Sequence, residues 1–341
     1  MKYLIFRTDR IGDFLITSPL IQSIKRNDKK HLIEVVCSSK NANFVKNLNF
    51  VNKIYELKKN NLINKLNLFF KLKRNFYDVI IVSDKKNRSI LLSFFLSSKI
   101  KIFNVSKFFI FKFLKLFQKN VFLDNDFSKL SIKEIQHNNL NCFNFPLIKA
   151  DFHFFKKDQF KSYFEIENNF NIPNNFILLH YDEKWEIQSY IKSFKKAKNF
   201  IDFEIQYTLF IKFLFEISNK TNSNIILTTG MINTNFIDKF ITTTEKISAN
   251  IYKLKNNSIN IFLIKNQSFE SVSHLISCSK LFISCHGAFT HVASNYKINQ
   301  IDIINSDKEH HYRRITSSID RYSYVYRKKF QNLSLDIINL L

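Results

Sequence analysis

The sequence is poor in glycine, proline and tryptophan. Its 341 residues include three glycines, three prolines and one tryptophan, whereas an average usage of about 7% would supply roughly 24 glycines. Because the composition suppresses glycine throughout, each remaining glycine is expected where a Cβ is not tolerated, at φ > 0 or close to a ligand. The glycines therefore mark candidate functional positions; the alternative is that they only form tight turns.

Several sequence signals are missing. The four cysteines form no CxxC pair and lack zinc-ligand spacing, and no apolar run approaches the roughly 18 residues that span a bilayer. The chain enters an apolar strand directly, which argues against a signal peptide. GxGxxG, P-loop, GxSxG and HExxH motifs do not occur. We expect buried thiols in a reducing cytoplasm and no bound metal.

Positive charge is abundant: 52 Lys and Arg stand against 28 Asp and Glu, a net charge of +24. Such a chain attracts nucleic acid, anionic lipid or phosphorylated sugars. The alternative is compositional, because Lys, Asn, Ile and Phe are all enriched together. A nucleic-acid-binding protein would show clustered Arg and a binding motif. The basic residues here are mostly dispersed Lys, so no nucleic-acid partner is expected.

Short apolar runs of strand length alternate with helical patterns, which is typical of parallel sheets covered on both faces. The runs lie at 3–6, 32–38, 78–83, 99–105, 176–181, 224–230, 261–265 and 281–285. The alternation restarts near residue 176, after the turn signal at Pro173. We predict an α/β protein with one domain over 1–160 and a second over 161–320.

The stretch FRTDRIGDFLITSP follows the first apolar run. Gly12 and Asp13 are expected where a helix begins, so the helix dipole favours a carboxylate that can accept a proton. Asp13 is alternatively a helix cap, and Asp9 and Arg10 can form a local ion pair. The Ser18-Pro19 pair resembles the N-cap and first turn of a helix.

Two further motifs follow predicted strands of the second half. In LFISCHGAFTHVAS, Gly287 permits a turn and a helix begins near Thr290 and His291, whose free N–H groups suit a diphosphate. His286 either faces the same space or is a loop residue without a role. In HYDEKW, Lys184 can neutralise phosphate charge or be merely solvated.

These residues carry a resemblance to a known family. RTDRIGDFLITSPLIQSIK resembles the amino-terminal signature of glycosyltransferase family 9, the ADP-heptose:lipopolysaccharide heptosyltransferases. FYDVIIVSDKKNRSILLSFFL is similar to the third strand and following helix of those proteins, and HGAFTHVASNYKINQIDII to their donor-site motif. The matches fall in the same order along nearly the whole chain.

The resemblance implies a GT-B fold, two Rossmann-like domains with parallel sheets facing each other across a cleft. It implies an inverting, metal-independent transfer of heptose from the nucleotide-sugar ADP-heptose to a lipopolysaccharide core or related lipid-linked glycan acceptor. It further implies that 321–341 forms a terminal helix packing back on the first domain. The oligomeric state stays open.

Roles for individual residues follow from the same resemblance. Asp13 would be the general base that deprotonates the acceptor hydroxyl, and Arg10, Gly12 and Asp9 would shape its loop on the acceptor side. The implied donor-binding residues are Lys184, His286, Gly287, Ala288, Thr290, His291 and Gly230. Family members often carry Asp where this chain has Cys285-His286, so a different nucleotide-sugar, or a catalytically altered scaffold, is the alternative.

The stretch VSKFFIFKFLKLFQK at 105–119 has the pattern of a basic amphipathic helix, with lysines on one side and Phe and Leu on the other. Such a helix can lie in an anionic membrane interface. The alternative is a helix packed on the sheet with a lysine edge. With the implied lipid-linked acceptor, this pattern predicts a cytoplasmic protein attached peripherally to the inner face of the membrane.

Overall fold

Strands and helices alternate along the chain, as the apolar runs predicted. The computed structural model describes residues 1–58, 62–105, 120–126, 129–186, 201–255 and 260–341. They divide into two units: Met1–Phe154 with Arg313–Ser318, and Phe155–Tyr312 with Ile319–Leu341. The basic amphipathic stretch at 105–119 lies, beyond Val105, outside the described residues.

The first unit is built on a six-stranded parallel sheet in the order β3-β2-β1-β4-β5-β6. Its strands are β1 (Lys2–Arg7), β2 (Leu32–Cys37), β3 (Lys53–Glu56), β4 (Tyr77–Val82), β5 (Ser98–Asn104) and β6 (Asn120–Leu123). Its helices are α1 (Ile11–Asn27), α2 (Ala42–Lys46), α3 (Leu62–Lys73), α4 (Asn87–Phe94) and α5 (Ile132–Asn141). Strand β1 is central and its side chains Tyr3 to Phe6 are fully buried, because helices cover both faces of the sheet.

The second unit is built on an eight-stranded sheet in the order β14-β13-β12-β7-β8-β11-β10-β9. Its strands are β7 (Phe176–Tyr181), β8 (Asn224–Thr229), β9 (Glu245–Lys246), β10 (Ile251–Lys255), β11 (Asn260–Ile264), β12 (Leu281–Cys285), β13 (Asn299–Ile304) and β14 (Tyr322–Tyr326). Strands β9 and β10 add an antiparallel edge that the sequence did not predict. The helices are α6 (Lys161–Asn168), α7 (Tyr207–Thr221), α8 (Asn235–Thr242), α9 (Phe269–Cys278), α10 (Ala288–Asn295), α11 (Glu309–Ile315) and α12 (Phe330–Asn339).

Helix α1 begins earlier than the Ser18-Pro19 pair predicted. It runs unbroken from Ile11 with Pro19 inside it, and the Ser18 hydroxyl donates to the Phe14 carbonyl, 3.1 Å away, instead of capping a helix start. Gly12 consequently lies in the first helical turn, and no described glycine has positive φ. Gly12 therefore does not have the positive φ that the scarcity of glycine suggested, although it does precede Asp13 at the helix start.

The closing helix also differs from expectation. Ile319–Leu341 belongs to the second unit, and Phe330, Leu333 and Ile337 of α12 are buried in the core of that unit. Phe330 stacks on Phe210 of α7 with ring centroids 5.2 Å apart. Aromatic burial against α7 thus fixes α12 in the core of the second unit, whereas the resemblance implied that 321–341 packs back on the first domain.

No helix within the described ranges is both long enough and apolar enough to cross a bilayer.

Candidate functional site

Loops that follow β1 and β4, together with residues that follow β2 and β3, form a pocket of about 620 Å³ in the first unit, lined mainly by polar and charged residues. The loops lie at the carboxyl edge of the sheet, where open α/β sheets bind ligands. The lining residues are Thr8, Asp9, Arg10, Asp13, Ser38, Ser39, Lys40, Leu57, Lys86, Asn87 and Arg88. Three of the residues singled out from the sequence therefore share this pocket.

Asp13 lies in the first turn of α1 at the pocket wall, with 43% of its side chain exposed. Its Oδ2 accepts the Arg10 backbone N–H at 3.2 Å, so Asp13 caps its own helix. Its Oδ1 lies 3.5 Å from Nη2 of the buried Arg7, whose Nε donates to the Asp13 carbonyl at 2.9 Å. The carboxylate is thus held in place and still open to the pocket.

Asp84, which the sequence did not single out, joins the two loops. This buried carboxylate follows β4 and accepts from the Thr8 N–H at 3.1 Å, the Thr8 hydroxyl at 2.5 Å and the Ser89 hydroxyl at 2.7 Å. Its position just after an apolar strand was the one sequence signal that indicated a site residue. Its partner Thr8 lies 76 residues away in the sequence, so the contact between them has no local signal. Asp84 fixes the loop leading to Asp13 relative to α4.

Two cations from the second loop complete the pocket. The Lys86 ammonium donates to the Thr8 carbonyl at 2.9 Å and pairs with Asp9. Arg88 donates from Nη2 to the Thr8 hydroxyl at 3.1 Å, and its Nε is buried without a hydrogen-bond partner among the described residues. Asp9 thus pairs with Lys86 and with Arg7, 3.7 Å away, neither of which is the Arg10 partner that the sequence suggested.

In the second unit, β12 ends in a turn that leads into α10. The Gly287 N–H donates to the Thr290 hydroxyl at 3.2 Å, and Ala288 is the first residue of the helix. Gly287 has extended backbone angles, which any residue can adopt. Glycine suits this position because of the space around it: a Cβ would lie 3.0 Å from the Lys184 ammonium nitrogen. The remaining first-turn N–H groups of α10 make this end of the helix electropositive.

Lys184 links this turn to the loop after β7. Its ammonium donates to the carbonyls of Cys285 at 3.0 Å and His286 at 2.8 Å and pairs with Asp182 at 2.9 Å. Burial lowers the pKa of Lys184, but the Asp182 carboxylate, Cys285 and Glu183 together more than offset this effect, so the pKa is raised. Lys184 is therefore a fixed cation beside Gly287 and not a mobile one.

Asp302 on β13 organises the same turn and was not predicted. Only 1% of its surface is exposed, and it accepts from His286 Nδ1 at 2.5 Å, Thr290 Oγ1 at 2.9 Å and the Tyr322 hydroxyl at 3.1 Å. Asp302 therefore holds the His286 ring in a fixed orientation. Burial lowers the pKa of His291, in the first turn of α10, so its ring is uncharged at neutral pH.

Gly230 follows β8 and approaches the loop after β7. Its N–H donates to the Tyr181 carbonyl at 3.2 Å, and a Cβ would lie 2.8 Å from Glu183 Oε2 and 3.1 Å from Asp182 Cα. The structure therefore explains this glycine by close backbone packing beneath the Lys184 loop. Trp185 is fully buried in the same loop and donates from Nε1 to the His180 carbonyl at 2.9 Å.

The residues predicted from sequence thus fall into two groups. Asp9, Arg10, Gly12 and Asp13 gather at the carboxyl edge of the first sheet. Lys184, His286, Gly287, Ala288, Thr290 and His291 gather at the carboxyl edge of the second, with Gly230 supporting them through Asp182.

Comparison with known proteins yields structural neighbours only: no family model and no curated protein sequence matches the chain. The E. coli heptosyltransferase WaaC with ADP superposes with a TM-score of 0.66 at 10% identity, covering 99% of this chain and 97% of that one. E. coli ADP-heptose lps heptosyltransferase II gives 0.67 at 12% identity, covering 100% and 99%. A glycosyl transferase family 9 protein from Veillonella parvula DSM 2008 gives 0.64 at 10% identity, covering 98% and 88%. The chain therefore has the GT-B fold of these heptosyltransferases, as its sequence motifs predicted.

Proposed function

We propose that this protein is an inverting, metal-independent glycosyltransferase of the heptosyltransferase type. It would move a sugar, heptose from ADP-heptose, onto a lipopolysaccharide core or related cell-envelope glycan. The observation that carries the proposal is Asp13, a fixed and accessible carboxylate in a 620 Å³ polar pocket at the ligand edge of a GT-B domain. The fold neighbours, which include a heptosyltransferase with ADP, support it.

Asp13 would act as the general base. As the acceptor hydroxyl oxygen attacks the anomeric carbon, its proton passes to the Asp13 carboxylate and the bond from that carbon to the diphosphate oxygen breaks. Displacement from the opposite side inverts the anomeric centre. Arg7, which contacts both the carbonyl and the carboxylate of Asp13, would hold the base at a constant position during the transfer.

The turn before α10 would hold the donor diphosphate. A helix start with unpaired N–H groups binds phosphate, and the Lys184 ammonium adds a full charge beside Gly287. His286 and Thr290 are fixed by Asp302 and would present their remaining polar atoms to the donor. These groups would stabilise the nucleoside diphosphate as negative charge develops on the leaving oxygen.

Cys285 cannot replace the carboxylate that family members often have at this point. Burial raises the pKa of its thiol to about 12, with Arg327 opposing the shift, so it is neutral at physiological pH. Asp302 contacts the turn directly, but it is buried and already accepts three hydrogen bonds. The contacts to the donor-sugar hydroxyls would therefore differ, and a sugar other than heptose is the alternative within this proposal.

The first-unit pocket suits an acceptor with negative charge. Arg10, Lys40, Lys86 and Arg88 line it against two carboxylates, Asp9 and Asp13. The buried Nε of Arg88 offers a donor that an acceptor oxygen could meet. A lipid-linked, anionic glycan on the cytoplasmic face of a membrane is therefore the acceptor that we propose for these groups.

One experiment distinguishes the general-base role of Asp13 from binding of the nucleotide-sugar donor. Asp13→Asn keeps an oxygen that can cap α1 but removes the proton acceptor, so turnover should fall by about 10²–10⁴-fold. The variant should still be stabilised by ADP, because a ligand at 100 times its dissociation constant contributes about 2.7 kcal/mol. Turnover is measured as ADP release from ADP-heptose with a heptose-deficient lipopolysaccharide acceptor, with and without EDTA, and stabilisation by thermal shift.

The same thermal-shift measurement includes UDP, GDP, CDP and a short oligonucleotide at constant salt. Selective stabilisation by ADP would support the donor assignment, whereas selectivity for another nucleotide would replace it and keep the transferase. Wild-type turnover in the Asn variant would refute the base. Loss of turnover in EDTA would refute metal independence, and stabilisation by the oligonucleotide alone would refute the whole proposal.

A further inference from the structure

Helix α3 in the first unit exposes apolar side chains on the side opposite to its buried face. Leu68 and Leu72 are buried against the sheet, whereas Ile63, Leu66 and Phe70 are 68%, 48% and 55% exposed. The exposed three follow the i, i+3, i+7 spacing of one helical stripe. An ordinary surface helix carries polar residues there, so this stripe requires an explanation.

Helix α4 repeats the arrangement on the same face of the sheet. Both helices pack on the core cluster that contains Leu4, Phe6 and Val82, so they cover one face of it together. Leu91, within α4, and Phe95, just beyond its end, are four residues apart and each 59% exposed. Phe76, just after α3, is 57% exposed. Six large apolar side chains are therefore exposed on one side of this unit. We call these six residues and the two helices the α3/α4 surface.

The charge on this surface has one sign. Residues 57–77 contain no Asp or Glu and six cations, and residues 85–105 also lack Asp and Glu. Lys71, Lys73 and Arg74 are exposed and lie around the apolar stripe at the end of α3. Basic residues flanking a projecting apolar stripe are the arrangement by which helices bind an anionic membrane interface.

Charge also decides between possible occupants. A second copy of the chain meeting this surface symmetrically would place cations against cations. The segment 106–119 of the chain itself carries four lysines and no acid, so it would be repelled in the same way. Nucleic acid would satisfy the charge but would leave the Ile, Leu and Phe side chains in water. An anionic lipid bilayer satisfies both features.

We propose that the α3/α4 surface docks the protein onto an anionic phospholipid bilayer, with Ile63, Leu66 and Phe70 entering the headgroup region. This inference does not depend on the proposed glycosyl transfer, because none of the six exposed apolar residues lines the pocket that contains Asp13. Docking would bring the first unit to a lipid surface whatever its substrate.

The test is sedimentation of the full chain with vesicles of phosphatidylglycerol and phosphatidylcholine, compared with pure phosphatidylcholine. Wild type should bind the anionic vesicles in a salt-sensitive manner. Replacing Lys71, Lys73 and Arg74 by Gln should weaken binding by about 100-fold, since each cation near the surface contributes about five-fold. Replacing Ile63, Leu66 and Phe70 by Ser should weaken it at least about tenfold, because the apolar area that enters the interface is lost.

Matched controls remove the same chemistry elsewhere. Lys156→Gln, Lys157→Gln and Lys161→Gln delete three exposed charges of the second unit, and Ile166→Ser, Leu209→Ser and Leu335→Ser delete three exposed apolar side chains there. Both controls should bind anionic vesicles as wild type does. All altered positions are exposed, so circular dichroism should show unchanged folding.

Four results would overturn the proposal. Wild type could bind neutral vesicles equally well or fail to bind either kind. The Ser variant could bind like wild type, which would show that the apolar stripe does not enter the lipid. Finally, the wild type could be a dimer that the Ser variant converts to a monomer without any vesicle binding, which would assign the surface to self-association.

Discussion

Gly230 and Gly287 each follow a strand of the second unit, yet a methyl group would meet different neighbours at each. At Gly230 it would lie 3.1 Å from the Asp182 backbone, which cannot move without shifting the loop. At Gly287 it would lie 3.0 Å from the Lys184 ammonium nitrogen, the far end of a long side chain, which has to shift by only a few tenths of an ångström to make room. The same substitution should therefore affect stability at one position and the Lys184 cation at the other.

We expect Gly230→Ala to lower the free energy of unfolding of the second unit by about 1–3 kcal/mol, as overpacking does. Gly287→Ala should change it by about 0.5 kcal/mol or less, because restriction of the unfolded chain offsets the local displacement. Urea unfolding of the two variants measures both. Equal destabilisation would show that Lys184 is as rigid as the backbone and would contradict the distinction.

His180 links stability to pH. It is buried on β7, with its Nδ1 2.9 Å from the Thr228 hydroxyl, and burial lowers its pKa to about 4. An unfolded histidine titrates near 6.5, so between pH 6.5 and 4 the unfolded state binds the additional proton. The stability contributed by neutral His180 is complete above pH 6.5 and is lost as pH falls toward 4.

The measurement is urea unfolding at pH 7 and at pH 4.5 for wild type and His180→Gln. Wild type should lose roughly 3 kcal/mol more than the variant over this interval. His137→Gln, which alters an exposed histidine, is the control and should behave as wild type. Identical pH dependence in all three proteins would contradict the assignment of this loss to His180.

At the scale of elements, α12 shows how packing overrides a family expectation. Its residue Phe330 is 2% exposed and meets Phe210 and Phe213 with ring centroids 5.2 and 5.4 Å apart. Apolar burial of this kind is non-directional and depends on which core offers room. The last helix therefore completes the core of the unit that it follows in sequence.

Phe330→Ala should consequently destabilise the second unit by about 3–5 kcal/mol, through lost burial and the cavity left behind. Leu335→Ala, on the exposed side of the same helix, should change stability by no more than about 0.5 kcal/mol. Chemical denaturation followed by Trp185 fluorescence reports on this unit. A small effect of Phe330→Ala would indicate that α12 packs elsewhere in solution.

At the scale of the whole molecule, the net charge of +24 has more than one use. Some cations are structural, such as Arg26 paired with Asp151 and Lys184 paired with Asp182. Others line the first-unit pocket, and a further set lies on the acid-free α3/α4 surface. Overall composition therefore says little about function until the positions of the charges are known.

Sequence alone determined the features that depend on local pattern. Apolar periodicity located eight strands, and the motifs around Asp13 and Gly287 marked loops at strand ends, because such signals lie within a few residues of one another. The GT-B fold followed from the resemblance carried by the same motifs.

Only the tertiary structure decided what depends on distant residues. Asp84 meets Thr8 across 76 positions and Asp302 meets His286 across 16, and sheet order, which local pattern does not specify, creates both contacts. Likewise, Lys184 becomes a fixed cation only because β7 and β12 are neighbours in the sheet. The residue types that can perform the chemistry are local information, whereas the partners that orient them arise from strand order and burial.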